Sequence, residues 1–223
     1  MNAGLELRHL LFGDVLFRDR FDAGRRLAEA LPAGLAKDAV VVALARGGIH
    51  VGVEIARALQ APLDVLVVRK VRHPRQPEYA LGAVTAGGGV YARASDGLSA
   101  EEVAAVVADA QEAAAALDGR LHDRHPSPPL RGRTVVLVDD GLATGATMIA
   151  AARWARAAGA DRVLAAVPVA AVASAELVRA EVDELIALHA LVDFGAVGVW
   201  YEDFAPVDDA EVLRILESCS SPT

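Results

Sequence analysis

The sequence predicts an α/β fold in which a mostly parallel twisted sheet is flanked by helices. Short β-branched apolar runs, of the kind that form buried strands, alternate along the chain with helix-forming segments. Two of these runs, at 39–45 and 135–138, lead through glycine-containing turns directly into a helix. The length of 223 residues suits one domain with a full core.

The elements follow from local patterns in chain order. Residues 21–31 place apolar side chains at helical spacing, and residues 99–102 form a capping box that opens a long alanine-rich helix. Residues 71–77 carry charges and prolines and predict a loop, followed by a hairpin that turns at 87–89. The other predicted helices are 51–59, 148–158, 174–181 and 210–216, the last capped by Asp208. The predicted strands are 39–45, 64–68, 79–85, 90–93, 135–138, 163–169, 184–188 and 196–200.

Composition excludes several classes of protein. A hydrophobic content of 54% with 23% charged residues is typical of a packed globular chain, and a net charge of −8 argues against a sequence-independent grip on nucleic acid or on an acidic membrane. Cys219 is the only cysteine, which excludes an intrachain disulfide and a thiolate metal cluster. Glu6, Arg8 and Asp14 interrupt any secretory segment, and the uncharged stretch 163–175 is shorter than the ~20 residues that span a bilayer. We expect a cytoplasmic protein.

The most informative stretch is 135–147, which reads VVLVDDGLATGAT. Its apolar run predicts a buried central strand, with Asp139 and Asp140 where that strand ends. The small residues that follow leave room for an anion, and the next helix would direct free N–H groups and the positive end of its dipole toward it. Carboxylates beside such a turn suit sugar hydroxyls or Mg²⁺ with its waters. The pattern favours a ribose 5-phosphate site; the alternative is a structural strand whose aspartates only cap the helix.

A second unit of strand, glycine turn and helix occurs at 39–59. The segment Arg46-Gly47-Gly48 follows its strand; the glycines let backbone approach a ligand closely, and the arginine fork suits phosphate. The pair Arg69-Lys70 follows the next predicted strand and would lie on the same rim of a parallel sheet. This rim suits a diphosphate, although a tight turn with solvated basic side chains explains the same residues.

Residues 135–147 match, position by position, the 5-phosphoribosyl-1-pyrophosphate (PRPP) signature of type I phosphoribosyltransferases. Four apolar residues, two acids and a small-residue loop ending in Thr-Gly-x-Thr occur in the same register, whereas the Gly-Lys-Ser/Thr and Gly-x-Gly-x-x-Gly phosphate-binding patterns do not occur. The whole chain resembles this family, and is most like its bacterial members without an assigned acceptor. The resemblance implies the type I phosphoribosyltransferase fold as a single domain over 1–223, with a hood from about 1–20 and 189–223 and a mobile hairpin loop.

The resemblance also implies roles for individual residues. A 72–82 loop containing Glu78 would close over the reaction centre. The family's loop that receives pyrophosphate often contains a non-proline cis peptide, and the sequence leaves open whether the bond between Ala45 and Arg46 is one. The implied catalytic residues are Asp139, Asp140, Arg46, Lys70 and Glu78. The implied ligands of Mg²⁺ are Asp139, Asp140 and Glu202. The implied PRPP- and pyrophosphate-binding residues are Gly47, Gly48, Arg69, Gly141, Ala143, Thr144, Gly145, Ala146 and Thr147.

Residues 193–204 resemble the hood segment of purine phosphoribosyltransferases, in which an apolar Val-Gly strand ends in an acid. Phe194, Val197 and Trp200 are the implied base-contacting residues, because flat apolar side chains can wall a heterocycle. The stacking aromatic of the family corresponds to Gly195 in this chain. The alternative is an edge strand that packs its aromatic residues into the core.

The implied reaction transfers ribose 5-phosphate from PRPP to a nitrogenous base and releases pyrophosphate, with Mg²⁺ on the diphosphate. Fixed charges would stabilise an oxocarbenium-like sugar and an anionic leaving group. Enzymes for 6-oxopurines carry an aspartate where this chain has Ala143, which disfavours hypoxanthine and guanine and leaves adenine-like, pyrimidine or other acceptors open. A PRPP-sensing regulator without catalysis and a PRPP or nucleotide hydrolase are the alternatives. No nucleic-acid or membrane partner is expected, and a homodimer is compatible with the sequence.

Overall fold

The computed structural model describes residues 15–35, 38–92, 97–123 and 125–220, except for the side chains at 77, 78 and 220. The strands in these ranges are β1 (Ala39–Ala45), β2 (Leu63–His73), β3 (Gln76–Thr85), β4 (Val90–Ala92), β5 (Thr134–Val138), β6 (Arg162–Ala171) and β7 (Glu184–Leu191). The α-helices are α1 (Arg20–Glu29), α2 (Gly48–Leu59), α3 (Ala100–His122), α4 (Ala146–Ala157), α5 (Val172–Arg179) and α6 (Asp209–Ser220).

These strands form one seven-stranded sheet in the order β4-β3-β2-β1-β5-β6-β7. Strands β2, β1, β5, β6 and β7 pair in parallel, and β3 and β4 extend the sheet in antiparallel pairing beyond β2. The predicted mostly parallel sheet with flanking helices is confirmed. Because parallel strands end at the same edge, the segments that follow β1 and β5 lie side by side there.

Both faces of the central strands are covered. Val42 and Leu137 pack on the face that carries α4 and α5, whereas Val41 and Val136 pack on the face that carries α1 and α2. Every side chain from Ala39 to Leu44 is therefore buried, which explains why β1 is continuously apolar rather than alternating. Burial of each larger aliphatic side chain contributes about 1.5–3 kcal/mol.

The predicted loop at 71–77 was wrong except at 74–75, because β2 runs to His73, residues 74–75 form a turn and β3 begins at Gln76. Val71 and His73 are 3% and 4% exposed, and Arg72 between them is exposed. Val71 packs with Leu81 of β3 beneath α3. Val71 and His73 are buried between exposed neighbours and residues 74–76 are exposed, so the charges and prolines of this segment concealed the strand pattern. The hairpin that turns at 87–89 is confirmed by the antiparallel pairing of β3 with β4.

The predicted strand at 196–200 was also wrong, because Val197–Trp200 forms a 3₁₀ helix. The indole Nε1 of Trp200 donates to the carbonyl of Phe194 at 3.0 Å. The backbone N–H of Phe17 donates to the carbonyl of Trp200 at 3.1 Å. This segment therefore pairs with residues from early in the chain instead of joining the sheet.

The predicted helix caps are confirmed. Ser99 and Glu102 exchange hydrogen bonds of 3.1 and 2.8 Å between side chain and backbone, which is the capping box of α3. The Asp208 carboxylate accepts from the N–H of Glu211 at 2.7 Å and caps α6. The part of the expected hood at 1–14 lies outside the described residues. Among the described helices, none combines the length and apolar composition needed to cross a bilayer.

Candidate active site

Asp139 and Asp140 follow β5 at the edge where the parallel strands end. The N–H of Asp140 donates to Asp139 Oδ1 at 2.9 Å, and the N–H of Asp139 donates to the carbonyl of Ala166 in β6 at 3.4 Å. The hydroxyl of the fully buried Tyr201 donates to the Asp140 carbonyl at 2.6 Å. Both aspartates are half-buried. The pair is thus anchored through its backbone and still reachable from solvent.

Arg20 is a site residue that sequence analysis missed. Its Nε lies 2.7 Å from Asp140 Oδ2, its Nη1 donates to the carbonyl of Ala205 at 2.8 Å, and its guanidinium carbon lies 3.6 Å from the centre of the Phe204 ring. Arg20 is only 7% exposed. The one sequence signal is its place on the buried stripe of α1, in helical register with Ala23 and Leu27.

The glycine turn after β1 packs directly against the acid pair. A Cβ atom on Gly47 would lie 2.0 Å from Asp140 Oδ2, and one on Gly48 would lie 2.6 Å from the carbonyl oxygen of Val138. Side chains at both positions are therefore excluded by the close approach of the two loops. The peptide bond between Ala45 and Arg46, whose isomer the sequence left open, is cis. The structure brings together the two motifs that the sequence separates by about ninety residues.

The turn from Gly141 to Thr147 leads into α4. Gly145 caps the helix in the left-handed conformation, with φ of 78°, so the turn can reverse and leave the first N–H groups of α4 facing outward. Ala143 and Thr144 are exposed, and Thr147 is half-buried. The Ser174 hydroxyl donates to the carbonyl of Ala143 at 2.7 Å and fixes the turn from below. The turn can present backbone donors to an anion. Ala146, the first residue of α4, is buried.

The electrostatics of the acid pair favour a bound cation. Burial raises the pKa of Asp139, the charge of Asp140 raises it further, and Arg20 and Lys70 oppose the rise. Burial also raises the pKa of Asp140, against the opposing charge of Arg20. Mg²⁺ commonly binds through one or two carboxylates and completes its shell with waters and phosphate oxygens, so the donor set fits that ion. In the described part of the chain no group of three or more His, Cys, Asp or Glu side chains could hold a metal.

A basic cleft of about 370 Å³ lies beside the glycine turn, lined by Arg46 and Arg69 together with Val207 and other apolar residues. The Nε of Arg46 lies 2.7 Å from Asp209 Oδ1 at the start of α6. Lys70 is exposed, and its charge acts on Asp139. Glu78 belongs to β3, and its side chain lies outside the described part of the structure.

The structure places the hood aromatics in the core. Phe194 and Trp200 are each 6% exposed and pack with Phe17 and Tyr201. The structure therefore shows Trp200 packed into the core, which was the alternative to contact with a base. The ring of Phe194 is covered in the same way. Val197 stands closer to the acids, because a Cβ on Gly141 would lie 2.6 Å from its Cγ1.

Glu202 is exposed next to the buried Tyr201, and its backbone N–H donates to the carbonyl of Phe17 at 2.9 Å. Its role as a metal ligand stays a prediction.

A second cleft, of about 380 Å³, has Arg20 in its lining but neither Asp139 nor Asp140. Arg20, Phe21, His50 and Glu211 line it, together with Asp19, Asp203 and Asp208. The ring of His50 stacks on Phe21 with 4.4 Å between centroids, and its Nε2 lies 3.3 Å from Glu211 Oε1. Sequence analysis assigned nothing to these residues, because they come from three distant segments.

Comparison with known sequences identifies a family. A sequence model described as the phosphoribosyl transferase domain matches residues 18–202. MT0597 and Rv0571c, whose names describe them as candidate phosphoribosyl transferases from two strains of Mycobacterium tuberculosis, are each 42% identical over 207 residues. The match covers 91% of this chain and 46% of each relative, so the chain spans less than half the length of these curated relatives.

Solved structures show the same fold. TT1426 from Thermus thermophilus superposes with a TM-score of 0.79 at 42% identity, over 92% of this chain and 99% of that one. AQ2163 from Aquifex aeolicus superposes with a TM-score of 0.50 at 17% identity, over 82% and 85% of the two chains. At that identity the second likeness concerns the fold alone.

Proposed function

This chain belongs to the phosphoribosyl transferase domain family, and from that premise we propose that it transfers ribose 5-phosphate from PRPP to a nitrogenous base with release of pyrophosphate. One observation carries the proposal. The acid pair after β5 and the glycine turn after β1 meet at a single edge of the sheet, next to the amino end of α4. Sugar hydroxyls, a diphosphate and a 5-phosphate could be bound there within the span of one PRPP molecule.

The 5-phosphate binds in the turn from Thr144 to Thr147. The outward N–H groups at the start of α4 and the helix dipole favour an anion at this point. The hydroxyls of Thr144 and Thr147 add donors, and the small side chains of Gly141 and Ala143 leave the approach open.

Asp139 and Asp140 receive the ribose hydroxyls and lie beside the sugar as it gains positive charge. Asp140 shares its carboxylate with Arg20, so Asp139 is the more available of the two for hydroxyls or a cation. A fixed negative charge beside an oxocarbenium-like sugar stabilises the transition state more than the ground state.

Pyrophosphate occupies the basic cleft as it leaves. Gly47 and Gly48 allow the backbone to approach it, while Arg46, Arg69 and Lys70 supply positive charge as the bond from C1 breaks. Asp139 and Asp140 would hold Mg²⁺, and the bound ion would offset negative charge on the diphosphate. The β2–β3 hairpin, including Glu78, covers the reaction centre and keeps water from intercepting the sugar.

The test is incubation with ³²P-labelled PRPP, Mg²⁺ and a panel of bases, with pyrophosphate and nucleotide measured separately. A transferase releases pyrophosphate only with an acceptor and forms a nucleotide in equal amount. A PRPP-sensing regulator would bind PRPP without pyrophosphate release above background, and a hydrolase would release pyrophosphate without any acceptor. The double variant Asp139→Asn/Asp140→Asn should abolish transfer while the far-UV circular dichroism stays native; undiminished transfer would refute the assignment.

A further inference from the structure

We propose that Arg20 is a positioning residue that neutralises Asp140 and holds it against the glycine turn, which leaves Asp139 as the acid that binds the cation and the ribose hydroxyls of PRPP. This inference rests on the proposed function and narrows it, because both aspartates are candidates there. Arg20 belongs to neither sequence motif and lies outside the lining of the basic cleft, so the proposed function gives it no role of its own.

The carboxylate of Asp140 is already engaged within the chain. Its Oδ2 lies 2.7 Å from Arg20 Nε, and the side chains of Arg20 and Asp140 are only 8% and 14% exposed. A Cβ on Gly47 would lie 2.0 Å from Asp140 Oδ2 and 3.3 Å from Arg20 Nε, so both charged groups pack against the glycine turn. Moving Asp140 toward a ligand would leave a buried guanidinium without its counter-charge and remove a contact from that turn.

Arg20 is itself held by groups other than Asp140. Its Nη1 donates to the carbonyl of Ala205 at 2.8 Å, and its guanidinium carbon lies 3.6 Å from the centre of the Phe204 ring. A planar guanidinium can contact a carboxylate, a carbonyl and an aromatic face at the same time, which an ammonium group does less well. Arg20 would have to break all three contacts to reach a ligand. The geometry therefore suits a residue that acts through Asp140 rather than one that binds PRPP directly.

Asp139 has no comparable partner. Among the residues that the structure describes, no Arg, Lys or His nitrogen lies within 4.0 Å of its carboxylate, and the charges of Arg20 and Lys70 act on it only over longer distances. The N–H of Asp140 donates to Asp139 Oδ1 at 2.9 Å, which orients the carboxylate without neutralising it. A carboxylate without a counter-ion attracts a divalent cation such as Mg²⁺. Asp139 is therefore the acid whose charge is left for a ligand.

The net charge of this cluster matters because PRPP is strongly anionic. Two carboxylates without counter-ions beside the sugar would repel the phosphates and would attract cations strongly. The guanidinium of Arg20 cancels the charge of Asp140, so the acid pair presents the charge of Asp139 alone. Removing Arg20 should therefore have opposite effects on two ligands: a free divalent cation should bind more tightly, and PRPP should bind more weakly.

The test measures binding of Mn²⁺ alone by electron paramagnetic resonance and binding of Mg·PRPP by calorimetry. Arg20→Gln should bind Mn²⁺ about tenfold more tightly than wild type and Mg·PRPP about tenfold more weakly. A residue that only stabilises the fold would, when replaced, weaken both ligands together. The control is Arg25→Gln on the same helix, where the nearest carboxylates, of Asp22 and Glu54, lie 4.0 and 3.9 Å away. This control should stay within about twofold of wild type for both ligands.

The double variant Arg20→Gln/Asp140→Asn keeps the test valid even if Arg20→Gln alone fails to fold. It replaces both charged partners by amides that can hydrogen-bond to each other, so no unpaired charge is buried. Because Asp139 is unchanged, this variant should bind Mn²⁺ within about threefold of wild type, although one of the two acids is gone. Asp139→Asn should weaken Mn²⁺ binding by about tenfold or more. Arg20→Lys retains the positive charge and should bind Mn²⁺ as the wild type does.

Two results overturn the inference alone, in a wild type that binds Mg·PRPP and transfers ribose 5-phosphate. One is Mn²⁺ binding in Arg20→Gln that is equal to or weaker than in wild type. The other is a loss of Mn²⁺ affinity in Arg20→Gln/Asp140→Asn as large as that in Asp139→Asn. A wild type that does not bind Mg·PRPP overturns the inference together with the proposed transfer.

Discussion

At the scale of single residues, the two neighbouring aspartates share a raised pKa but differ in their partners. Asp139 carries a half-buried charge beside another acid, whereas Asp140 is paired with the buried Arg20. A charge that burial and repulsion disfavour weakens the fold, and a charge that neutralises a buried guanidinium supports it. Adjacent carboxylates of the same type are therefore not interchangeable.

The variants Asp139→Asn and Asp140→Asn should differ in sign. At pH 7, Asp139→Asn should raise the free energy of unfolding by about 1 kcal/mol, because folding no longer has to bury that charge. The gain should shrink as the pH falls and approach zero near pH 3, below the ordinary carboxyl pKa of 3.8, because the carboxyl is then mostly protonated in both the folded and the unfolded state. Asp140→Asn should lower the free energy of unfolding by about 2–3 kcal/mol, because it leaves Arg20 without a counter-charge. Urea denaturation at both pH values measures this, and equal effects would contradict the ion-pair interpretation.

Gly47 should tolerate no side chain. In Gly47→Ala the added Cβ would lie 2.0 Å from Asp140 Oδ2, so the carboxylate must leave its place against Arg20. We expect stability to fall by about 1–3 kcal/mol and PRPP affinity to fall at least tenfold. Calorimetry and urea denaturation check both effects.

The matched control is Gly119→Ala on α3. A Cβ there meets nothing within 4 Å, so the change should leave PRPP affinity intact and raise stability by about 0.5–1 kcal/mol through helix propensity. Parallel behaviour of the two variants would show that close packing at Gly47 is unimportant.

At the scale of elements, α3 is fastened to the sheet by a buried ion pair. His122 Nε2 lies 3.0 Å from Asp64 Oδ1 at the start of β2, and His122 Nδ1 lies 3.3 Å from Asp118 Oδ1. Asp64 is only 4% exposed. Hydrogen bonds to Asp118 and Asp64 raise the pKa of His122 from 6.5 to about 10. These contacts hold α3 over the strands whose ends line the basic cleft.

The stabilisation from His122 should therefore depend on pH. Because the folded-state pKa is raised, the contribution is fully present below pH 6.5 and is lost as the pH rises toward 10. His122→Gln should lower the free energy of unfolding by about 1–3 kcal/mol at pH 6, and the difference from wild type should shrink by pH 10. Urea denaturation across this range is the measurement. If the difference in free energy of unfolding between wild type and His122→Gln stayed constant with pH, side-chain packing rather than the charge of His122 would hold α3 against the sheet.

The elements differed in how well sequence predicted them. Strands at 39–45 and 135–138 are buried on both faces, so their continuous apolar runs were unambiguous. Burial alternates only over residues 71–73, and the exposed charges of 72–76 suggested a loop. The segment Val197–Trp200 has the apolar residues of a strand, but Trp200 hydrogen-bonds back to Phe194 and the chain coils into a 3₁₀ turn.

The residues of the candidate site also differ in how well the sequence predicted them. Asp139, Asp140 and the glycines could be predicted, because each motif is contiguous and its chemistry is local. Arg20 could not, since its partner Asp140 lies 120 positions away. The His50–Glu211 contact spans 161 positions and likewise requires the tertiary structure.

At the scale of the whole molecule, the candidate PRPP site joins the loops that follow β1 and β5 to Arg69 and Lys70 of β2, so a ligand there should stabilise the entire fold. At a concentration of Mg·PRPP one hundred times its Kd, the free energy of unfolding should rise by about 2.7 kcal/mol through binding linkage. Thermal denaturation monitored by calorimetry measures the shift. Inorganic phosphate at equal ionic strength is the control, and the Asp139→Asn/Asp140→Asn variant should show no shift beyond that control.

Gly141 and Val197 face each other near the two aspartates, so substitutions at position 197 should change the width of the opening there. A bare glycine on one side meets a valine on the other, and added bulk at 141 would reach that valine at 2.6 Å. The size of the side chain at 197 should therefore set the width of the gap opposite Gly141. Val197→Ala should widen this gap, and Val197→Ile should narrow it. Comparing such variants at position 197 should show how the size of an acceptor of the proposed transfer depends on the width of this gap, while both aspartates stay unchanged.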